Sequence, residues 1–199
     1  LGAIVAIEPK TGQILAMVSS PTFDPREMIG KLRGKTQHTL MLDPAKPLLN
    51  RAIMGQYPPG STFKTSQAVT YYTEGIISDS TRYACHHGFY FKGLHLGCHA
   101  HASPLSLVPA LGTSCNAYFC WGLYHMLSNR KRYKNLDDAM TVWRNYMVSM
   151  GFGYKLGIDL PGEKRGMIPN AQFYDHAFKV CNPLTVISIS IGQGEVILT

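Results

Sequence analysis

No run of 18 or more apolar residues occurs in this chain, so no segment is long enough for a membrane-spanning helix. The N-terminus opens on Ala3-Ile4-Val5-Ala6-Ile7 with no charged leader and no cleavage pattern, which leaves no legible secretory signal. Internal repeats and low-complexity tracts are missing, and with them solenoid and fibrous architectures. The five cysteines (Cys85, Cys98, Cys115, Cys120, Cys181) are irregularly spaced, unlike the framework of a small disulfide-stapled domain. Acidic residues are few, 12 against 19 Lys and Arg, for a net charge of +7. The basic surplus is scattered, however, and only Asn129 to Lys134 is locally basic, so nucleic acid is not an expected partner. A neighbouring anionic lipid surface or anionic polymer suits the sign of the charge equally well. Because the chain opens without Met and stops straight after an apolar run, it reads as a piece of something longer.

With 45% hydrophobic residues the 199-residue chain can bury a sizeable core, and one domain is the default expectation. Residues 3–7 and 13–18 are β-type runs joined by Glu8-Pro9-Lys10-Thr11-Gly12, which predicts a hairpin. From Ser20 to about Asn50 the periodicity is poor and a long loop is expected. Ser61 to Glu74 contains no Pro or Gly and ends at Gly75, as a helix with a glycine C-cap does. Further helices are expected from Pro104 or Leu105 to Gly112, from Ala117 to Leu127, and after Asn135 as N-cap. Residues 151–170 are turn-rich. Leu184 to Ile191 fits a strand or a buried helix, since periodicity cannot arbitrate so short a run.

Ser61-Thr62-Phe63-Lys64 places a hydroxyl and an amine at i and i+3 on one helix face. A serine hydroxyl needs an adjacent proton acceptor to act as a nucleophile, and a desolvated lysine can serve. A helix N-terminus adds backbone N–H groups that favour an oxyanion. Ser-x-x-Lys alone is a weak signal. Ser128-Asn129-Arg130-Lys131 fits it too, in a polar run that reads as a solvated helix end. Ser114-Cys115-Asn116 strengthens the first copy: its hydroxyl can relay a proton and its amide can hold a substrate peptide group. The alternative for this triplet is an ordinary turn or N-cap before the next helix. Cys115, at the middle position, is expected to pack rather than react. The aromatics Tyr71, Tyr72, Phe89, Tyr90, Phe91 and Trp121 are read as core.

Five of the eight histidines (His86, His87, His95, His99, His101) crowd around Cys85 and Cys98. Thiolate and imidazole are the ligands zinc prefers, and a structural zinc site of Cys85, Cys98 and His101 with His99 or His86 as fourth ligand is expected. A Cys85–Cys98 disulfide, or solvated histidines beside a free thiol, are the competing readings.

Taken in order, Ile7 to Met17, Tyr57 to Lys64, Ser114 to Phe119, Gly157 to Glu163 and Ile191 to Glu195 resemble the penicillin-binding transpeptidase family, class B, over nearly the whole chain. The resemblance implies a β-lactamase/transpeptidase-like α/β (α+β) fold, an antiparallel sheet flanked by helices, with residues 1–199 forming part of a transpeptidase domain. It implies Ser61 as the acylated nucleophile, Lys64 as its base, Ser114 as proton relay and Asn116 as ligand to a substrate amide, with no cofactor needed for catalysis. The implied substrates are peptidoglycan stem peptides ending in D-Ala-D-Ala, β-lactam antibiotics are substrate mimics, and cell-wall elongation proteins in the membrane are the partners. Some relatives are similar in carrying zinc just before the Ser-x-Asn triplet. A membrane anchor outside these residues would place the domain on the periplasmic face of the inner membrane. The family's third motif, Lys-Thr-Gly or Lys-Ser-Gly on a strand after the Ser-x-Asn, is missing here; Lys10-Thr11-Gly12 precedes the nucleophile in a hairpin turn and is a decoy. That strand and the closing helix are expected beyond Thr199. A β-lactam-binding sensor without turnover, a D,D-carboxypeptidase and a serine β-lactamase are the rival functions.

Overall fold

The computed structural model describes residues 1–178 and 182–199, and Cys181 lies outside the described residues. Two compact units are formed, one by Leu1–Tyr57 with Lys155–Arg165 and Thr199, the other by Pro58–Tyr154 with Gly166–Leu198. Each has its own small antiparallel sheet with helices beside it, the mixed α/β class expected.

In the first unit, strands β1 (Gly2–Ile7) and β2 (Ile14–Ser20) pair antiparallel as the expected hairpin, with Gly2 opposite Ser20 and a register shift between Ala6 and Ile7. Gly12, at φ 74, supplies the left-handed turn residue. The expected long loop instead contains helix α1 (Arg33–Leu42). It buries no residue and opens at Leu32 without a side-chain cap, so neither an apolar stripe nor a capping residue marks it in the sequence. Helix α2 (Arg51–Met54) follows, capped by Asn50, whose side chain accepts the Ala52 N–H at 3.2 Å. The turn-rich residues after Lys155 pack here: Lys164 donates its N–H to the Ile53 carbonyl at 2.9 Å, and the Glu163 carboxylate accepts the N–H groups of Leu156 and Gly157 at 2.6 and 3.0 Å.

The second unit is built around helix α5 (Asn116–Ser128). Ala117, Tyr118, Phe119, Cys120, Leu123, Met126 and Leu127 are fully buried around its circumference, as befits a helix apolar on most sides. Helix α3 (Lys64–Thr73) packs on it, entered through a 3₁₀ turn at Gly60–Phe63 and stopped before Gly75 at φ 64. Helix α4 (Leu107–Gly112) leads into α5, and α6 (Leu136–Ser149) starts at the expected N-cap, Asn135 accepting the Asp138 N–H at 2.8 Å. The inward stripe Ala139, Met140, Trp143 and Met147 of α6 is fully buried, each large side chain contributing about 1.5–3 kcal/mol. Strands β3 (Gly88–Phe91) and β4 (Leu94–Gly97) form a hairpin that the histidine-rich sequence does not announce. Its turn is Lys92-Gly93, both at positive φ (47 and 84), the two-residue geometry that suits strand twist. Helix α7 (Ala171–Ala177), capped by Asn170, was also not expected. Leu184 to Ile191, open between strand and helix, ends as a buried 3₁₀ helix (Ile187–Ile191) packed on α5.

Candidate active site

Ser61 is exposed on the 3₁₀ turn, and Lys64 opens α3 one turn later with a side chain only 1% exposed. The Lys64 Nζ donates to the Ser114 carbonyl at 2.7 Å, to Ser114 Oγ at 3.0 Å and to Asn116 Oδ1 at 2.5 Å. Lys64 thus joins Ser114 and Asn116 through its side chain, and it meets Ser61 through its backbone N–H, which donates to the Ser61 carbonyl. Burial draws the Lys64 amine below the ordinary lysine value, and the nearby thiols Cys98, Cys115 and Cys120 offset part of that shift. A Phe119 ring face lies 5.8 Å from Nζ.

The corner between α4 and α5 aims the triplet. Ser114 N–H bonds to Leu111 O at 3.0 Å and Cys115 N–H to Ala110 O at 2.9 Å, which turns the chain sharply after α4. Ser114 occupies the left-handed region at φ 54, where glycine is usual and serine costs on the order of 1 kcal/mol. Cys115 is the α5 N-cap, its Sγ accepting the Tyr118 N–H at 3.4 Å. Asn116 is held from β4: its Nδ2 donates to Gly97 O at 2.7 Å and its backbone N–H to Cys98 Sγ at 3.2 Å. With Nδ2 fixed in this way, Oδ1 faces the lysine.

Against the wall of this corner lies a cluster of soft ligands. The ligand atoms of Cys85, Cys98, His101 and Cys115 all fall within 4.8 Å of one another. Three of these residues were expected together; His99 and His86, named for the fourth place, are exposed and lie outside the group, and Cys115 fills that place instead. The reason is geometric, since the N-cap position turns the middle residue of Ser114-Cys115-Asn116 away from the lysine and toward β4. His101 Nδ1 pairs with the Ala102 carbonyl at 2.7 Å, which leaves Nε2 facing Cys98 Sγ at 3.3 Å. Metal-binding imidazoles are commonly oriented by such a second bond. Burial alone would push the Cys98 thiol up, but the Asn116 N–H, His101, Cys85 and the Ala117 N–H outweigh it and bring it to about 7. Cys115, more deeply buried, is pushed up to about 12. Three thiols and an imidazole are the donor types that a structural zinc site uses.

Sequence reasoning missed two supports. Gly192, at φ 67, accepts the Gly60 N–H on its carbonyl at 2.8 Å, so the Ile191–Glu195 stretch holds the turn carrying Ser61. Gly97 and Cys98 hold Asn116, and nothing in the spacing of residues 97 and 116 signals it. Lys10-Thr11-Gly12 is an exposed hairpin turn of the first unit, and Ser128 to Lys131 closes α5 at the surface of the second. His95 stacks on Tyr90 at 4.0 Å between ring centroids. Tyr71 and Phe89 are core, whereas Tyr72 and Tyr90 are exposed.

A serine on a tight turn, a buried lysine one turn on, and a Ser-x-Asn corner clasping that lysine come together in the second unit. The family profile for the penicillin binding protein transpeptidase domain matches residues 2–199, and the chain belongs to that family. Peptidoglycan D,D-transpeptidase MrdA of Acinetobacter baumannii is 36% identical over 203 residues, which covers 97% of this chain and 28% of the relative. Among solved structures, Pseudomonas aeruginosa PBP2 in complex with WCK 5153 superposes with a TM-score of 0.81 at 28% identity, over 100% of this chain and 43% of that one. An imipenem acyl-enzyme complex of penicillin-binding protein A from M. tuberculosis superposes at 0.76 with 26% identity, again over 100% of this chain and 43% of that one. The chain therefore spans less than a third of its curated relative's length.

Proposed function

We propose that these residues are part of the transpeptidase domain of a peptidoglycan D,D-transpeptidase. Lys64 accepts the Ser61 Oγ proton as the oxygen attacks the penultimate D-Ala carbonyl of a stem peptide. The C–N bond to the terminal D-Ala then breaks, and the departing amine takes a proton through Ser114 Oγ. An amine from a second stem peptide attacks the resulting ester, forms the cross-link and returns the proton to Ser61. Asn116 orients the donor peptide, and β-lactams acylate the same oxygen. The observation that carries this reading is the buried Lys64 amine held between Ser114 and Asn116. An acyl-enzyme in one structural neighbour and the transpeptidase name of the relative support it. By the same reasoning the native protein acts with membrane-bound elongation proteins at the periplasmic face of the inner membrane.

The test is intact-mass spectrometry of the full-length protein and of Ser61→Ala after incubation with a penicillin. A drug-sized adduct confined to the wild type is expected. An adduct that survives in Ser61→Ala would sink the assignment. Acylation without any D-Ala release from a stem peptide would move the reading to a non-catalytic sensor, and release with water as sole acceptor to a carboxypeptidase.

The thiol–imidazole cluster favours a second element of the proposal: Cys85, Cys98, His101 and Cys115 would hold a structural zinc ion, which would tie the loop before β3, the end of β4 and the N-terminus of α5 together. Native mass spectrometry should show one zinc lost in Cys85→Ser; a protein that never carries the metal would rule this out.

A further inference from the structure

Acyl transfer as derived above makes no use of the sulfur chemistry of Cys85 and Cys98. We propose that these two residues are an oxidative modification site: a disulfide oxidant couples them, and the coupled state slows acylation of Ser61. Their sulfurs lie within 4.8 Å of one another, and coupling requires them to close to the ~2.05 Å of an S–S bond. They flank one hairpin, since Cys98 donates its N–H to the His87 carbonyl at 2.8 Å, which brings the end of β4 beside the loop that carries Cys85.

Cys98 is the entry point, because solvent reaches it, while Cys85 and Cys115 are buried. Its sulfur attacks a disulfide R–S–S–R, forming Cys98–S–S–R and releasing one thiol. Cys85 then attacks the Cys98 sulfur, its proton leaves with the second thiol, and the two protein thiols have given two electrons to the oxidant. Cys85 is the resolving partner rather than Cys115, whose sulfur is engaged as the α5 cap on the Tyr118 N–H.

The functional link runs through Asn116. In the reduced protein Cys98 Sγ accepts the Asn116 N–H at 3.2 Å, and the preceding carbonyl, Gly97 O, holds the Asn116 side chain. Turning the sulfur toward Cys85 removes the first of these bonds, loosening the amide whose Oδ1 meets Lys64. A zinc ion on the same thiols would exclude the disulfide, so the two states compete.

The experiment treats the full-length protein with oxidised glutathione in the presence of a chelator, then alkylates and maps the peptides, with penicillin acylation timed before and after. The expected result is a protein lighter by two hydrogens, Cys85 joined to Cys98, and acylation slowed about fivefold, the scale of one lost hydrogen bond, and restored by a reductant. Cys85→Ser should stop at a glutathione adduct on Cys98. Full alkylation of every thiol, a bond from Cys98 to Cys115, or a Cys85–Cys98 bond with unchanged acylation would each overturn the proposal. The acylation arm rests on the proposed role of Ser61 and the mapping arm does not. A reduced protein that penicillin never acylates would therefore refute the Ser61 reading and the coupling together, while the peptide map still decides the disulfide.

Discussion

Gly192→Ala isolates the contact that holds the turn carrying Ser61. An alanine at φ 67 bears left-handed strain of about 1–2 kcal/mol. The new Cβ would overlap the Gly60 backbone, standing 2.8 Å from Gly60 N and from Phe63 Cβ. Backbone cannot swing aside as a side-chain tip can, so relief means moving the 3₁₀ turn, at about 1–2 kcal/mol for such overpacking. Losing the Gly60 N–H to Gly192 O bond adds about 1 kcal/mol, for a total of roughly 3–5 kcal/mol. Gly12→Ala is the control, because φ 74 there brings the strain while nothing lies within 4 Å of its Cβ. At about 2–4 °C per kcal/mol for a domain of this size, Gly192→Ala should lower Tm by roughly 6–20 °C and Gly12→Ala by only about 2–8 °C. Scanning calorimetry reads the first effect, and penicillin acylation, measured where both variants are folded, should fall at least about tenfold in Gly192→Ala alone. Equal Tm losses with equal acylation rates would refute the reasoning.

Three further outcomes are expected. Gln67→Leu strands the buried Trp143 Nε1–H, which Gln67 Oε1 now accepts at 2.9 Å, and should cost about 1–3 kcal/mol in denaturant unfolding; a loss under about 0.5 kcal/mol would count against it. For Glu74, burial pushes the carboxyl up, but the hydroxyls of Tyr133 and Tyr146 and the Arg132 guanidinium outweigh it, so its folded value is depressed. Its contribution is then full above the unfolded value of about 4.3 and lost as pH falls through the lower folded one; the stability gap to Glu74→Gln should narrow over that range, and a gap constant with pH would refute this. Because burial lowers the Lys64 value, acylation should rise with pH at a midpoint below that of free lysine, near 10.4, and Lys64→Arg should slow it by about 10²-fold or more; an arginine variant with the wild-type profile would remove Lys64 as base.

What the sequence made legible follows from local physics. The β1–β2 hairpin, the Gly75 stop and the Asn135 cap depend on neighbours within a few residues, and turn and capping chemistry reports them directly. Helix α1 buries nothing, so it leaves no periodic trace. The β3–β4 hairpin hides because its outward positions are Tyr90, His95 and Gly97, and its turn is Lys92-Gly93 rather than Asn-Gly. At the site, Ser61 with Lys64 and Ser114 with Asn116 are short-range patterns. What joins the pairs, the Lys64 amine reaching across 50 residues, is tertiary and appears only in the fold. The sequence suggests His99 or His86 beside Cys85, Cys98 and His101, whereas the corner at Ser114 brings Cys115 into the group for a related reason: the contact is tertiary.

That corner explains why so much converges on three residues. A chain leaving α4 must reverse within Ser114 and start α5 at Asn116, and the left-handed φ of Ser114 accomplishes the reversal. Alternate residues then diverge: Ser114 and Asn116 face Lys64, and Cys115, fully buried, faces Cys85, Cys98 and His101. A glycine at 114 would relieve the strain of about 1 kcal/mol but remove the hydroxyl that accepts from the lysine. Asn116, one of the lysine's own ligands, is also pinned to Gly97 and Cys98, so the sulfur cluster and the lysine share a residue. The lysine-centred cluster and the thiol cluster are therefore two faces of a single helix start, joined through Asn116.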